Sequence, residues 1–158
     1  MEPRRRRPPF KGYGLQESDE GMLEWGWATE RLAGARNYWV STTRPNGRPH
    51  AMPVWGVWLD DAFFFGSGRE SAKSRNLAAN PASVVHLESG DETVILEGLA
   101  ESVSDDDLLM RVLEVYGPKY DLTPHAAGED PWFVVRPKRV YAWNERDYPD
   151  SATQFDFD

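Results

Sequence analysis

Apolar positions recur at helical spacing behind an acidic start where Met22, Trp25, Ala28 and Leu32 fall three to four residues apart. That spacing predicts a helix from Asp19 or Glu20 to Ala35. Residues 37–44 and the run from His50 to Leu59 are instead rich in aromatic and β-branched types. They flank the turn signal Pro45-Asn46-Gly47 and read as a hairpin. Pro53 lacks a ladder donor, so an edge position or a backbone irregularity is expected there. A third strand follows at Ala62 to Phe65, then a short helix from Ser71 to Ala79 stopped by Asn80-Pro81. Two more strands, over 82–88 and 92–103, surround a Ser89-Gly90-Asp91 turn. In the second of these, Val94, Leu96, Gly98 and Ala100 line one side while Ile95, Leu99 and Val103 line the other. A strand apolar on both faces fits where one face fills a core and the other meets another layer or subunit. Ser104 to Asp107 resembles a capping box, opening a helix with Leu108, Leu109, Val112, Leu113 and Tyr116 on its apolar face and Gly117-Pro118 at its end. A connection over 118–131 leads to a last strand pair around Phe133–Arg136 and Arg139–Trp143. About six mostly antiparallel strands with three interspersed helices predict an α+β domain on a closed or nearly closed barrel.

The 158 residues fit one domain, with 40% apolar residues to build a core. The absence of cysteine excludes disulfides, thiolate metal sites and cysteine nucleophiles, so redox chemistry needs a borrowed cofactor. A net charge of −8 argues against broad nucleic-acid binding. The charge is uneven: Arg4–Arg7 and Lys11 stand near the start, and the rest of the chain, beyond residue 11, carries a formal −12. Residues 1–19 read as a flexible basic arm and 20–158 as the single domain. No apolar run is long enough to span a bilayer, and a cytoplasmic location with no membrane partner is expected.

Candidate chemistry concentrates in two stretches. From Phe63 to Leu77 a strand passes through Gly66-Ser67-Gly68 into a helix start, bringing backbone N–H groups, serines and the cations Arg69, Lys73 and Arg75 together. This combination suits a phosphate, although the segment also reads as an exposed helix with ordinary surface cations. Its likeness to a P-loop fails, because Ser67 and Ala72 stand where both glycines belong. The second stretch runs from Pro49 to Trp58, where an irregular strand rich in Trp and apolar residues could hold the edge and face of a flat organic ring. Trp55 or Trp58 taken alone reads as core. His50, His86 and His125 lack metal-ligand spacing, so no metal site is expected, and no nucleophile elbow is present.

Together Tyr38-Trp39-Val40-Ser41-Thr42, Gly47-Arg48-Pro49-His50, Met52-Pro53-Val54-Trp55, Ser67…Ser71-x-Lys73-x-Arg75-Asn76-Leu77, Asn80-Pro81 and Arg136-Pro137…Ala142-Trp143 resemble the pyridoxamine 5′-phosphate oxidase-like (flavin split-barrel) superfamily. The resemblance covers roughly residues 20–158 and is greatest to the oxidoreductases that use the deazaflavin coenzyme F-420. It implies a six-stranded antiparallel split β-barrel of the FMN-binding type with peripheral helices. It also implies a homodimer with cofactor sites at the interface, and hydride transfer to or from a small-molecule substrate. Ser67, Gly68, Ser71 and Lys73, extended by Arg75 and Asn76, match the segment that meets the cofactor phosphate, while Met52, Pro53, Val54 and Trp55 match the one against the ring. FMN oxidases usually carry an arginine and a lysine on the second strand, where this chain has Met52 and Val57, and Ala72 replaces a further basic residue. The resemblance therefore implies coenzyme F-420, with FMN, or a non-catalytic deazaflavin, flavin or haem binder, as the alternative. No catalytic residue is assigned; His50 or Tyr38 could donate a proton if it pointed into the cleft.

Overall fold

The computed structural model describes residues 2–122 and 129–158. The elements in chain order are β1 (Arg4–Arg6), α1 (Trp25–Gly34), β2 (Tyr38–Thr43), β3 (Pro49–Val54), β4 (Val57–Leu59) and β5 (Ala62–Gly66). They continue with α2 (Ala72–Ala79), β6 (Ala82–Leu87), β7 (Glu92–Ser102), α3 (Asp106–Lys119), β8 (Trp132–Asn144), a 3-10 turn (Glu145–Asp147) and β9 (Thr153–Asp156). The fold is α+β, as expected, but the sheet has nine strands rather than six. Its hydrogen-bonded path runs β1-β9-β8-β7-β6-β2-β3, while β4 pairs with β5 and β5 with β8; every ladder is antiparallel. No ladder closes it, and β3 meets β4 only through the chain at Trp55-Gly56.

Tyr38, Val40, Phe63, Phe65, Val85, Leu96, Val135 and Val140 build the main core, sealed by Ala28 and Leu32 of α1 and Leu77 of α2. A second core of Val57, Phe64, Val112, Trp132 and Val134 lies between β4, β5, β8 and α3. The consecutive phenylalanines of β5 thus serve both, as a pleat with alternating faces requires. On β7, Val94, Leu96, Gly98 and Ala100 are buried as expected, whereas Leu99 on the other face is 46% exposed.

Several expected boundaries move for local reasons. The first helix begins at Trp25, not Asp19 or Glu20, because Gly21 takes a φ of +88° and Met22 closes a turn onto the Asp19 carbonyl. Beyond Gly117, α3 continues through Pro118 to Lys119; a proline in the last turn removes one hydrogen bond, and the Tyr120 N–H still reaches the Tyr116 carbonyl. The two terminal strands expected at 133–136 and 139–143 are one strand, β8, because Pro137 stays in register with Gly98 and Lys138 is taken up as the extra residue of a bulge where the register shifts between Glu97 and Gly98. Only glycine fits there: a Cβ on Gly98 would stand 2.4 Å from the Arg136 carbonyl oxygen. Pro53 sits inside β3 without a break, since β3 is an edge strand bonded only to β2, and the irregularity falls at Trp55-Gly56 instead. Arg4–Arg6, expected within a flexible arm, pair with β9.

Candidate functional site

At the end of β5 the chain turns through Ser67 and Gly68 into α2. The Ser67 N–H donates to the Pro131 carbonyl (3.1 Å), which pins the loop to the start of β8. Ser71 caps the helix, its hydroxyl accepting the Ser74 N–H at 3.1 Å. The Ser67 and Ser71 hydroxyls are 2.7 Å apart, Ser71 donates to Ser74 (3.1 Å), and Ser74 donates to the Gly68 carbonyl (2.8 Å). Three hydroxyls thus form a relay beside the first helical N–H groups, which have no acceptor within the helix. Hydroxyl protons rotate freely, so the relay can turn toward an anion without moving the backbone.

Lys73 in the first turn of α2 is half-buried with no acid paired to it among the described residues, and burial pushes its ammonium below the usual lysine range. Across from α2, His50 is held low first by desolvation and then by the charges of Arg44 and Lys73. Its Nδ1 is buried with no hydrogen-bond partner. Asn76 is buried and donates to Thr42 Oγ1 at 3.0 Å, which fastens α2 to β2 opposite His50. A cavity of about 380 Å³ between the hairpin turn and α2 is lined by Arg44, Asn46, Ala72, Arg75 and Asn76. Arg75 itself is exposed.

The expected ring wall is distributed differently. Pairing with β2 puts His50, Met52 and Val54 on the face shared with Thr42, Val40 and Tyr38, so Met52 and Val54 continue along one surface from His50. Pro53 belongs to the opposite face with Trp39. Met52 is 44% exposed on its face, although Val40 beside it is buried. Trp55 turns toward the end of α3 and stacks on Tyr120 with ring centroids 4.5 Å apart. Val57, where an FMN oxidase would carry a cation, is fully buried in the second core.

Neither suggested proton donor is free for the role. Tyr38 is fully buried, donates to the Leu32 carbonyl, and is raised above its ordinary pKa by burial and by Tyr120. His50 stands at the serine and lysine end of the surface, not beside Trp55. Part of the connection 118–131 lies outside the described residues, as does His125.

The sequence reading missed Ser74, Thr42 and the end of α3. Lys119 donates to the Tyr38 hydroxyl (2.7 Å) and the Gly56 carbonyl (2.9 Å), and burial lowers its ammonium to about 8. The Tyr120 hydroxyl accepts the Gly56 N–H at 3.0 Å and donates to the Arg36 carbonyl at 2.6 Å. Gly56 has to be glycine, because a Cβ would meet the Phe63 ring at 2.4 Å and the Phe64 carbonyl at 2.8 Å. The helix end therefore clamps the break between β3 and β4, and with it the direction of Trp55. The sequence signal was the spacing of Tyr116, Lys119 and Tyr120 on one helical face.

Comparison with known proteins agrees with this fold. The fold matches a conserved hypothetical protein, Rv2991 from Mycobacterium tuberculosis, at a TM-score of 0.73 and 22% identity over 83% of this chain and 90% of that one. It matches an F420 reductase at a TM-score of 0.56 and 26% identity over 70% of this chain and 94% of that one. It also matches HutZ, the haem storage protein from Vibrio cholerae, at a TM-score of 0.61 and 17% identity over 74% and 89%. No curated protein matches the sequence. The family model for pyridoxamine 5′-phosphate oxidase matches residues 28–144, which contain the relay, Lys73 and the whole of β3, and the chain belongs to that family.

Proposed function

We propose that this protein is an oxidoreductase that binds the deazaflavin coenzyme F-420 and passes hydride between it and a small organic substrate. The observation that carries this reading is the Ser67–Ser71–Ser74 relay beside Lys73 and the unpartnered Nδ1 of His50. These groups fit a phosphate: they are neutral donors and acid-free cations at a helix start. From His50 the surface continues through Met52 to Val54, so a ring joined to the phosphate would lie on the apolar part. Met52 and the buried Val57 leave no second-strand cations for FMN, and the F420 reductase neighbour at 26% identity points the same way.

In this reading Ser67, Ser71 and Lys73 hold the phosphate, with the Gly68 main chain, Arg75 and Asn76 around it. Met52 and Val54 cover the ring and exclude water, with Trp55 at the edge of this wall and Pro53 keeping the edge strand rigid. The bound cofactor supplies the hydride chemistry. The protein works as a homodimer in the cytoplasm, with its exposed Leu99 covered by the second subunit and the cofactor sites at that interface.

A second reading, a non-catalytic cofactor carrier, is favoured by one observation: Tyr38 is committed to the Leu32 carbonyl, so the ring wall has no free acid. Titration of apo-protein with F-420 and with FMN, followed by tryptophan fluorescence, tests the cofactor. F-420 is expected to bind at least tenfold more tightly, and a preference for FMN overturns the reading. Stopped-flow mixing of the reduced complex with enones and quinones separates enzyme from carrier, since a carrier shows no reoxidation above background.

A further inference from the structure

At the far end of the β3 surface, Trp55 and Tyr120 stack within 10° of parallel. The Arg36 guanidinium lies 5.2 Å from the Trp55 centroid and 5.5 Å from that of Tyr120. A point almost equidistant from two stacked rings stands beside the stack, not over either face. Little cation–π attraction is available there, and the guanidinium fork remains open for a bidentate acid. The other face of Tyr120 is occupied by Tyr116, with centroids 5.0 Å apart, whereas Trp55 is 37% exposed and has no second ring partner among the described residues. Behind the stack, Lys119 spends two of its three N–H groups on Tyr38 and Gly56. No carboxylate pairs with Arg36 or Lys119 among the described residues, and residues 123–128 contain no acid. On a chain of net charge −8, Arg36 and Lys119, neither of them in an ion pair among the described residues, stand beside the apolar shelf of an open indole face, and Arg36 shares the neighbouring cavity with Glu30, Glu88 and Glu92.

We propose that this shelf binds a planar organic acid, its conjugated part stacked on the outer face of Trp55 and its carboxylate held by Arg36 in the field of Lys119. Assigning that acid as the substrate rests on the cofactor reading above, because it places the acid next to the ring on Met52 and Val54. The acid site itself is built by this chain alone and does not need the cofactor.

Isothermal titration with 2-naphthoate and its neutral isostere 2-naphthamide, with and without F-420, tests it. The acid is expected to bind at least tenfold more tightly than the amide. Arg36→Gln, at an exposed position that leaves the core untouched, is expected to reduce that preference below threefold. Trp55→Leu is expected to weaken both probes. Equal binding of acid and amide, survival of the preference in Arg36→Gln, or displacement of the acid by F-420 overturns the proposal. A preference that holds in a protein unable to take F-420 sustains the acid site and overturns the cofactor reading instead.

Discussion

Arg4–Arg7 each meet an acid or a carbonyl, whereas among the described residues the cations around α2 meet no acid. Arg6 is 2.6 Å from Asp156, Arg4 is 3.5 Å from it, and Arg5 pairs with Glu24. Arg7 donates to the carbonyls of Ser18, Glu20, Asp150 and Ala152. Around α2, Lys73 and Arg75 have no ion pair among the described residues, and the Arg44 guanidinium donates to the Pro49 carbonyl. A run of four arginines looks like the molecule's anion site, yet carboxylates and carbonyls engage its guanidinium groups and tie the first strand to the last. Cations that folding leaves unmatched keep their field for a ligand. What distinguishes the two regions is the company of acids, not the count of positive residues.

The largest test of that difference is Asp156. Its side chain is 11% exposed and bonded by Arg6 (2.6 Å), Arg139 (3.1 Å) and Gln154 (2.7 Å). Burial alone would raise this carboxyl, but the bonds from Gln154, Arg6 and Arg139 outweigh it and hold it at about 2. Asp156→Ala is expected to cost about 2 kcal/mol in urea unfolding, the size of lost charge-assisted hydrogen bonds, without changing cofactor affinity. Because the folded-state pKa is depressed, the contribution is present in full above the unfolded pKa of about 4. It is lost as pH falls from there to about 2, so wild type and variant should converge in stability at pH 2. A difference that persists unchanged at that pH would assign the loss to packing and remove the charge argument.

Lys73 should behave in the opposite sense. A half-buried ammonium without an acid gains little from the fold, so Lys73→Met is expected to leave stability unchanged or slightly raised. It is expected to lower F-420 affinity about tenfold, roughly 1.4 kcal/mol. Loss of stability with intact affinity would make Lys73 the same kind of residue as Arg6.

The contrast explains what the sequence could convey. Ser67, Ser71 and Lys73 were legible because strand, loop and helix start follow one another within a few residues, and the chain itself brings them together. The hairpin was legible for the same reason, its turn being closed by Arg44, Asn46, Gly47 and Arg48. Arg6 with Asp156 was not, since nothing local announces a contact between the first strand and the last. Lys119 and Tyr120 on Gly56 were hidden likewise, because a helix end and a strand break meet only once both cores have formed. The length of β8 was hidden differently: Pro137 argued for a break, and its remedy lies on the partner strand at Gly98.

The smallest test compares two exposed arginines. Arg4 has a side chain 75% exposed and 3.5 Å from Asp156, while Arg75 is exposed and lines the cavity beside the hairpin together with Arg44. Neither makes a buried contact, so neither substitution to glutamine should change stability by more than about 0.5 kcal/mol. They should differ in the field they leave at α2. Arg75→Gln is expected to weaken F-420 binding about twofold at low ionic strength, and the effect should vanish near 1 M salt, where the screening length falls to about 3 Å. Arg4→Gln is expected to leave affinity unchanged at either salt, because Arg4 stands on β1 beside Asp156 and does not line the cavity at α2. Equal responses would mean that the anion responds to the total charge of the molecule, and the distinction between matched and unmatched cations would fall with them.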